Sequence, residues 1–386
     1  MQKEGVSMSP KLRRKTRGLL ILFLLLYAAF TLIPGAVYGA YQLQQQKGNT
    51  LKTSPSPQSS LPPTASVSPS PSPQPDLSAA PSPSSQPASS SVPGFLDGQT
   101  LPSSTPAGED VFTLYDTATG NTFQVSASEF LPAALACEMD LSAPDEALKA
   151  QAVALYTFYS YQRAQNQEEA ADFACDTENW LVYVPQSAME ERWGENFSTY
   201  YQKLQSIVES IEGQLLTWEG EPICAAFFAI SGGNTESALN VWGTDFPYLQ
   251  AAASPGDCFS NGYLSTVSLT AEELRQAALG LWEGEVDFSG PEEEWITEVE
   301  ASSSGYVNTA KVGGRNCTGE ELREAFGLRS ACFQVAYSDG VFQFTVRGWG
   351  HGVGMSQAGA MFLAEQGAGY QEILAHFYPG STLEQK

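Results

Sequence analysis

Glu138 has the surroundings that a catalytic acid needs. It lies between two apolar stretches, just before a helix that the sequence predicts to be buried. A carboxyl group in an apolar pocket has a raised pKa, because loss of solvation penalises its charged form. A general acid needs such a pKa at neutral pH. The alternative is a structural role, because most acidic residues are solvated, cap a helix or pair with arginine.

The segment 347–360 is the second candidate, because its glycines alternate with other residues. Glycine adopts positive φ and lets other backbone approach, so the pattern predicts a chain threaded tightly past a neighbour. His351 could bind sugar or stabilise charge, or it could be a packed histidine bonded to backbone. Trp349 could stack on a sugar or fill core. Ser356 and Gln357 could donate to glycan hydroxyl groups or begin a helix.

A short loop, Ser231-Gly232-Gly233, offers backbone N–H groups that could point into a cleft, although a plain turn fits the sequence equally well. The glycine-rich segment could in principle hold a phosphate. However, the chain lacks the GxGxxG and GxxxxGK[ST] patterns, so the usual signature of nucleotide binding is missing.

The charge of the chain excludes one class of partner. Residues 1–17 hold six of the 19 Lys and Arg residues and one of the 43 acidic residues, so the rest has a formal net charge of −29. Such a surface repels phosphate backbones, and we expect no nucleic-acid binding. A polysaccharide would be held by hydrogen bonds and aromatic stacking rather than by charge.

Cysteines and histidines form no recognisable metal site. No cysteine pair has CxxC spacing, and His351 and His376 are the two histidines, so we predict no metal or other cofactor. His376 is expected to be structural. The even number of cysteines permits disulfides, with Cys317 and Cys332 as the candidate pair. The alternative is that all six are buried free thiols.

The N-terminal third predicts a membrane anchor and a tether. Residues 1–17 form a basic tail, and 18–41 carry no charge and are long enough to span a bilayer. The basic flank predicts a cytoplasmic tail and places the rest outside, as a single-pass protein of the cell membrane. A cleaved signal peptide is the alternative. Residues 42–108, rich in Ser and Pro, predict a disordered linker.

Residues 109–386 predict one α+β domain, because strands and helices mix without a regular βαβ rhythm. The run 111–125 predicts a hairpin, and a capping box at 142–145 predicts the start of a long buried helix, about 144–168. Runs 180–184 and 223–230 predict strands. The other predicted helices are 126–135, 198–212, 270–281, which Thr270 and Glu273 could cap, and one after 355, with Ser356 as its cap. The other predicted strands are 214–218, 295–301, 306–312, 333–337 and 341–346.

The string GWGHGVGMSQAGA, residues 348–360, is similar to the C-terminal signature of the SpoIID/LytB family, the stage II sporulation protein D group. It fixes more than ten consecutive positions, so the resemblance is specific. Other blocks resemble the family in order and spacing across most of 110–386. They are 138–139, 146–154, 231–236, 241–243, 246–249 and 319–330.

The resemblance implies a lytic transglycosylase that cleaves peptidoglycan glycan strands, with Glu138 as the catalytic acid. Glu138 would protonate the oxygen between N-acetylmuramic acid and N-acetylglucosamine and then accept the muramic 6-hydroxyl proton, leaving a 1,6-anhydro end. Hydrolysis would need a second carboxylate, and Asp140, Asp145 and Glu236 carry no pairing signal. The glycine-rich segment and the loop 231–233 would bind substrate. The implied partners are denuded glycan strands, a cell-wall amidase and other engulfment proteins.

The sequence departs from the family pattern at three positions. Asp140 stands where the family usually has Pro, Tyr156 where it commonly has Arg, and Phe228 where it often has His. Some family members bind zinc near Phe228, and loss of the His disfavours zinc here. Two other functions stay open: a non-catalytic glycan-binding enhancer of a cell-wall amidase, and a sugar-binding domain without an enzymatic partner.

Overall fold

A computed structural model describes residues 110–385 of the 386-residue chain. The helices are α1 Ala127–Glu138, α2 Asp145–Gln165, α3 Gln186–Trp193, α4 Phe197–Ser210, α5 Ala238–Trp242, α6 Ala271–Leu281, α7 Gly319–Ala325, α8 Gln357–Glu365 and α9 Tyr370–Phe377. The strands are β1 Val111–Asp116, β2 Asn121–Ser126, β3 Phe173–Cys175, β4 Gln214–Trp218, β5 Glu221–Pro222, β6 Phe227–Phe228, β7 Leu264–Thr270, β8 Ile296–Ala301, β9 Val307–Val312, β10 Arg315–Thr318, β11 Phe333–Ser338, β12 Val341–Arg347, β13 Met355–Ser356 and β14 Thr382–Gln385. The mixed α+β prediction is confirmed.

Helix α2 is the centre of the larger hydrophobic core. Every residue from Ala150 to Thr157 is buried, and α2 contacts α1, α4, α8, α9 and β4. Alanines at many of these positions let neighbouring elements pack closely on several faces. The C-terminal helices α8 and α9 therefore pack against a helix some 200 residues earlier in the chain, which brings the glycine-rich segment towards α1.

Residues 264–346 build a second core of their own. Strands β11, β12 and β7 form one antiparallel sheet and β10, β9 and β8 another, and α6 and α7 pack with them. Their shared interior includes Trp295, Phe326, Phe342 and Phe344. The chain then leaves β12 and returns to the first core through the glycine-rich segment.

The start of α2 differs from its prediction. The N-cap is Pro144, which has no side-chain bond, and the Ser142 hydroxyl does not cap the helix. The Ser142 N–H instead donates to the Asp140 carboxylate at 2.7 Å. Asp145 pairs with Lys203 at 3.1 Å. The caps predicted at Thr270 and Ser356 are confirmed, since each hydroxyl accepts the N–H three residues later.

One predicted strand is absent and another is shorter than expected. Residues 180–184 form a loop, because Trp180 and Val182 have φ angles of 57° and 72°, which a strand does not permit. Within 223–230, ladder pairing is confined to β6, which pairs in parallel with β13, and one bridge at Ile230. The hairpin β1–β2 and the strands predicted between 295 and 346 are confirmed.

The predicted disulfide between Cys317 and Cys332 is wrong, and all six cysteines are free thiols. Cys317 belongs to the second core, whereas Cys332 packs with Tyr306 and Ala331. The Cys317 sulfur accepts a hydrogen bond from Arg315 at 3.0 Å. Because Cys317 and Cys332 pack in different surroundings, the alternative of free thiols is confirmed. Four of the six thiols are buried as that alternative expects, whereas Cys258 is exposed and Cys137 is half-buried.

Within 110–385, no helix combines the length and apolar character needed to cross a bilayer. The predicted tail 1–17, anchor 18–41 and linker 42–108 lie outside the described residues and stay predictions.

Candidate functional site

Glu138 is the last residue of α1, and the helix ends there because Met139 turns to extended backbone, with φ −132° and ψ 148°. The residue is half-buried. Its Oε2 accepts a hydrogen bond from Gln357 Nε2 at 3.4 Å, across 219 residues of sequence. The structure therefore joins the two candidates that the sequence placed at opposite ends of the folded region.

Burial raises the pKa of Glu138 to about 7, and the Gln357 hydrogen bond opposes that rise. Burial dominates because no cation in the described part of the chain stabilises the charged form of this carboxyl. A pKa near 7 leaves a large fraction of the carboxyl protonated at neutral pH. Glu138 can therefore both give and take a proton.

We expect Gln357→Leu to raise the pKa of Glu138 above its present value near 7. A donor to a carboxylate favours the charged form, so removing the donor favours the protonated form. The measurement is a ¹³C NMR titration of the Glu138 carboxyl, assigned by its loss in Glu138→Gln. A pKa that stays put or falls in Gln357→Leu would show that the 3.4 Å contact is not a working hydrogen bond.

The glycine-rich segment is threaded as predicted. Gly348, Gly350, Gly352 and Gly354 have φ angles of 82°, 118°, 85° and 80°. A Cβ on any of them would lie within 3 Å of another residue's atoms, belonging to Ile230, Phe228, Tyr306 and Ala226 in that order. The segment then enters β13, and the Ser356 hydroxyl accepts the Gly359 N–H to start α8. This order fixes Gln357 as the first residue of α8.

His351 is a packed histidine bonded to backbone, the alternative that the sequence left open. The Val353 N–H donates to its Nδ1 at 3.1 Å, so Nε2 carries the proton and donates to the Phe227 carbonyl at 3.0 Å. Burial lowers the pKa of His351 to about 4. The ring is therefore neutral at pH 7, and both of its nitrogens bind the fold.

Trp349 is 39% exposed, and the Arg329 guanidinium lies 4.4 Å from its ring centre. Its backbone forms a two-way bridge with Ile230. Arg329 thus covers part of the Trp349 ring, and the rest of the side chain is partly exposed to solvent. Of the side chains predicted on the glycine-rich segment, Trp349 keeps exposed surface and Gln357 bonds to Glu138. The polar groups of His351 and Ser356 are instead bonded to buried parts of the fold, Phe227 and Asp257.

The loop 231–233 uses all of its N–H groups inside the protein. Ser231 N donates to Asp257 Oδ2 at 2.6 Å, Gly232 N to the Tyr306 hydroxyl at 3.2 Å, and Gly233 N to the Ser231 hydroxyl at 3.1 Å. The plain-turn alternative therefore describes this backbone. The loop supports the glycine-rich segment rather than offering donors to a cleft.

Asp257 connects the two motifs and was not recognised in the sequence. Its fully buried carboxylate accepts bonds from Ser231 N, the Ser254 hydroxyl at 2.8 Å and the Ser356 hydroxyl at 2.6 Å. It therefore fixes both the 231–233 loop and the start of α8. A single acid in a Pro-Gly-Asp turn carries no pattern that would have revealed this role.

We expect Asp257→Ala to lower the free energy of unfolding by about 3 kcal/mol, because three buried donors lose their acceptor. Thermal unfolding followed by circular dichroism measures the loss. Asp245→Ala, at an exposed position outside the buried network, is the control and should change stability little. Equal melting temperatures for Asp257→Ala and the native protein would contradict the buried network.

Three other carboxyl groups could in principle act as a second catalytic acid. Asp140 is exposed and accepts from Ser142, and Asp145 pairs with Lys203. Glu236 is 2% exposed and accepts from Asn240 and the Ser302 hydroxyl. Each has a structural partner, and none is bonded to Glu138.

The departures from the family pattern fit their surroundings. The Tyr156 hydroxyl donates to Asp110, which also pairs with Arg163, so it holds the start of β1 to α2. The Phe228 ring packs 5.4 Å from the His351 ring. Within 110–385, no group of three or more His, Cys, Asp or Glu side chains could hold a metal ion.

Comparison with known proteins gives the class first. The model of the family described as SpoIID, stage II sporulation protein, matches residues 115–218, the region from β1 to β4 that contains Glu138 and α2. The family model therefore matches the part of the fold in which the half-buried Glu138 ends α1.

The relatives extend the match over most of the chain. Stage II sporulation protein D of Bacillus amyloliquefaciens is 34% identical over 276 residues, covering 70% of this chain and 78% of that protein. The same protein of Bacillus subtilis (strain 168) is 33% identical over 300 residues, covering 74% and 85%. The amidase enhancer of Bacillus subtilis (strain 168) is 28% identical over 293 residues, covering 64% and 39%. The chain belongs to the SpoIID family.

Proposed function

We propose that the protein is a membrane-anchored lytic transglycosylase that cleaves peptidoglycan glycan strands between N-acetylmuramic acid and N-acetylglucosamine. The observation that carries the proposal is the half-buried Glu138 carboxyl, whose pKa is about 7 and whose hydrogen-bond donor comes from the family signature. Membership of the SpoIID family and the similarity to an amidase enhancer support a role at the cell wall.

One carboxyl can perform the whole reaction. Protonated Glu138 gives its proton to the glycosidic oxygen while the bond from that oxygen to C1 of muramic acid breaks. The muramic 6-hydroxyl oxygen then bonds to C1 and loses its proton to the Glu138 carboxylate. The acid is regenerated, no water is consumed, and the products are a free 4-hydroxyl group and a 1,6-anhydro end.

A single-carboxyl mechanism is supported by the surroundings of Glu138. Hydrolysis needs a second carboxylate at about 5–9.5 Å, to act as nucleophile or to activate water. Asp140, Asp145 and Glu236 are bonded elsewhere, as described above. His351 is neutral and satisfied by backbone, so it positions the signature rather than transferring protons. Trp349 is available to stack on a sugar.

The biological role proposed for this activity is remodelling of the wall during spore engulfment. The two relatives that align with this chain over 78% and 85% of their own length are both named stage II sporulation protein D. The predicted anchor at 18–41 would hold the enzyme at the membrane, and the linker 42–108 would let it reach the wall. Glycan strands freed of stem peptides by an amidase are the expected substrate.

A second candidate function is a non-catalytic enhancer of a cell-wall amidase. The observation in its favour is the 28% identity to the amidase enhancer of Bacillus subtilis. This function requires glycan or amidase binding but no acid at position 138. The two functions therefore predict different products from the same reaction mixture.

The test incubates the purified protein with denuded glycan strands, alone and with a cell-wall amidase on intact peptidoglycan. The transglycosylase proposal expects 1,6-anhydro ends by mass spectrometry without any amidase. Faster amidase turnover with no anhydro ends would instead establish the enhancer. Cleavage is measured on denuded glycan and amidase turnover on intact peptidoglycan, so each activity is detected independently of the other.

A further inference from the structure

A groove of about 340 Å³ opens among the residues that flank Glu138, and the reaction step above gives it no role. Ala136 and Met139, on either side of Glu138 in the chain, belong to its wall. The other lining residues are Asp140, Leu141, Ser142, Trp180, Arg192, Trp193 and Tyr200. Three aromatic rings and one arginine therefore surround a space beside the end of α1.

The aromatic rings form one continuous surface. Trp193 lies edge-on to Trp180 at 6.2 Å between ring centres and edge-on to Tyr200 at 5.6 Å. Tyr200 is 37% exposed. Trp and Tyr offer an apolar face with a polar edge, which suits a ligand that is itself part apolar and part hydroxylated. Ligand sites commonly combine such faces with a few placed polar groups.

The backbone that presents Trp180 is held in an unfavourable conformation. Trp180 and Val182 have φ angles of 57° and 72°, and such angles are rare for bulky and β-branched residues. Two backbone hydrogen bonds between Asp176 and Leu181, each 3.0 Å, close the loop. The Asp176 carboxylate also accepts the N–H groups of Glu178 and Asn179. Strain that the surroundings enforce in this way is concentrated at functional sites.

Arg192 supplies an uncommitted positive charge. Of the ten Lys and Arg side chains within 110–385, seven pair with a carboxylate, and Arg192 is not among them. Its guanidinium lies 4.3 Å from the ring centre of Trp180. Stacking fixes the plane of the guanidinium while its edge stays able to bind a carboxylate through two N–H groups. In so acidic a protein, this arrangement indicates an anionic ligand.

Arg192 and Glu138 act on the same neighbour. Burial raises the pKa of the Cys137 thiol, Glu138 raises it further, and Arg192 lowers it. Both charges therefore lie within electrostatic range of Cys137. Asp140 also lines the groove, with one carboxylate oxygen held by Ser142 N. It can accept hydrogen bonds from sugar hydroxyl or acetamido N–H groups.

We propose that this groove binds the glycan strand next to the scissile bond, with Arg192 holding the lactyl carboxylate of an N-acetylmuramic acid residue. Sugar faces stack on Trp193 and Tyr200. The inference rests on the proposed function for its ligand. The net negative charge of the chain predicted that a polysaccharide would be held by hydrogen bonds and aromatic stacking, and this inference adds one charged contact to them. Such a contact would let the protein distinguish this strand from a polymer of N-acetylglucosamine alone.

The test measures binding rather than cleavage, in the Glu138→Gln protein, by isothermal titration calorimetry. The probes are denuded glycan strands and chitohexaose, which lacks lactyl carboxylates. Loss of a charge-assisted bidentate bond is expected to weaken binding of the muramyl strand at least 10-fold in Arg192→Gln. Chitohexaose affinity should not change. Tyr200→Ala should weaken both probes, and Arg192→Lys should recover only part of the loss.

Arg275→Gln is the control, because Arg275 is exposed on α6 and pairs with Glu272. It should leave both affinities unchanged. Equal muramyl binding with and without Arg192, an equal loss for both probes in Arg192→Gln, or no muramyl binding by Glu138→Gln would each overturn the inference. A native protein that does not cleave, yet binds through Arg192, would overturn the proposed function and leave this inference standing.

Discussion

Glu138→Gln is expected to reduce formation of 1,6-anhydro ends by at least about 100-fold, since general acid catalysis contributes 10²–10⁴ in rate. Glutamine keeps the shape of the side chain and its contact with Gln357, but it has no proton to give. The measurement is the initial rate on denuded glycan at pH 6, below the Glu138 pKa of about 7. The native rate should fall as pH rises through 7, because the acid form disappears.

Glu365→Gln is the matched control, because Glu365 is exposed at the other end of the helix that begins with Gln357. It should cleave at the native rate. Glu138→Gln should also remain folded. Because the folded pKa of Glu138 is raised, its contribution to stability is present below pH 4 and lost as pH rises to about 7. At pH 8 the free energy of unfolding of Glu138→Gln should therefore exceed that of the native protein, by an amount on the order of 2 kcal/mol. A Glu138→Gln protein with native activity would disprove the acid assignment.

Gly354→Val is expected to lower the free energy of unfolding by at least about 4 kcal/mol and to leave little folded protein. A Cβ at Gly354 would lie 2.0 Å from the Ala226 carbonyl oxygen, and its φ of 80° is unfavourable for valine. That carbonyl also accepts bonds from Met355 N and the Tyr378 hydroxyl. The backbone cannot yield without breaking them. Chemical denaturation measures the loss.

Substitutions at two other glycines separate the cost of the positive φ from the cost of the steric overlap at Gly354. Gly367→Ala has a φ of 95° but no atom within 4 Å of its Cβ, so it should cost about 1–2 kcal/mol from backbone conformation alone. Gly280→Ala, inside α6 and with open space, should gain about 0.5–1 kcal/mol. If Gly354→Ala costs no more than Gly367→Ala, the close threading of the segment is wrong.

The elements that local patterns define were predictable from sequence. Alternation predicted the β1–β2 hairpin, and the Thr270–Glu273 pair predicted the start of α6. The buried helix α2 followed from apolar residues on nearly every face. Its predicted cap at Ser142 is wrong, because the helix begins after Pro144, and the Ser142 N–H bonds to Asp140 rather than to Asp145.

The sequence predicted which residues lie at the candidate site, but it did not predict which of them bind the fold and which are available to a ligand. The family resemblance pointed to Glu138 through its block 138–139 and to Gln357 through its C-terminal signature, and the structure brings the two side chains into contact. His351 and the 231–233 loop are satisfied by partners distant in sequence, Phe227, Asp257 and Tyr306, which only the fold places beside them. The Trp180–Arg192 pair was missed because Trp180 lay in a predicted strand.

The most direct test of the account is cleavage of denuded glycan strands in water enriched in ¹⁸O, with products read by mass spectrometry. If Glu138 acts as the lone acid and base, the new ends are 1,6-anhydro sugars that contain no ¹⁸O, and they are absent with Glu138→Gln. New reducing ends that carry ¹⁸O would mean that water attacks C1, and the single-carboxyl mechanism would be contradicted.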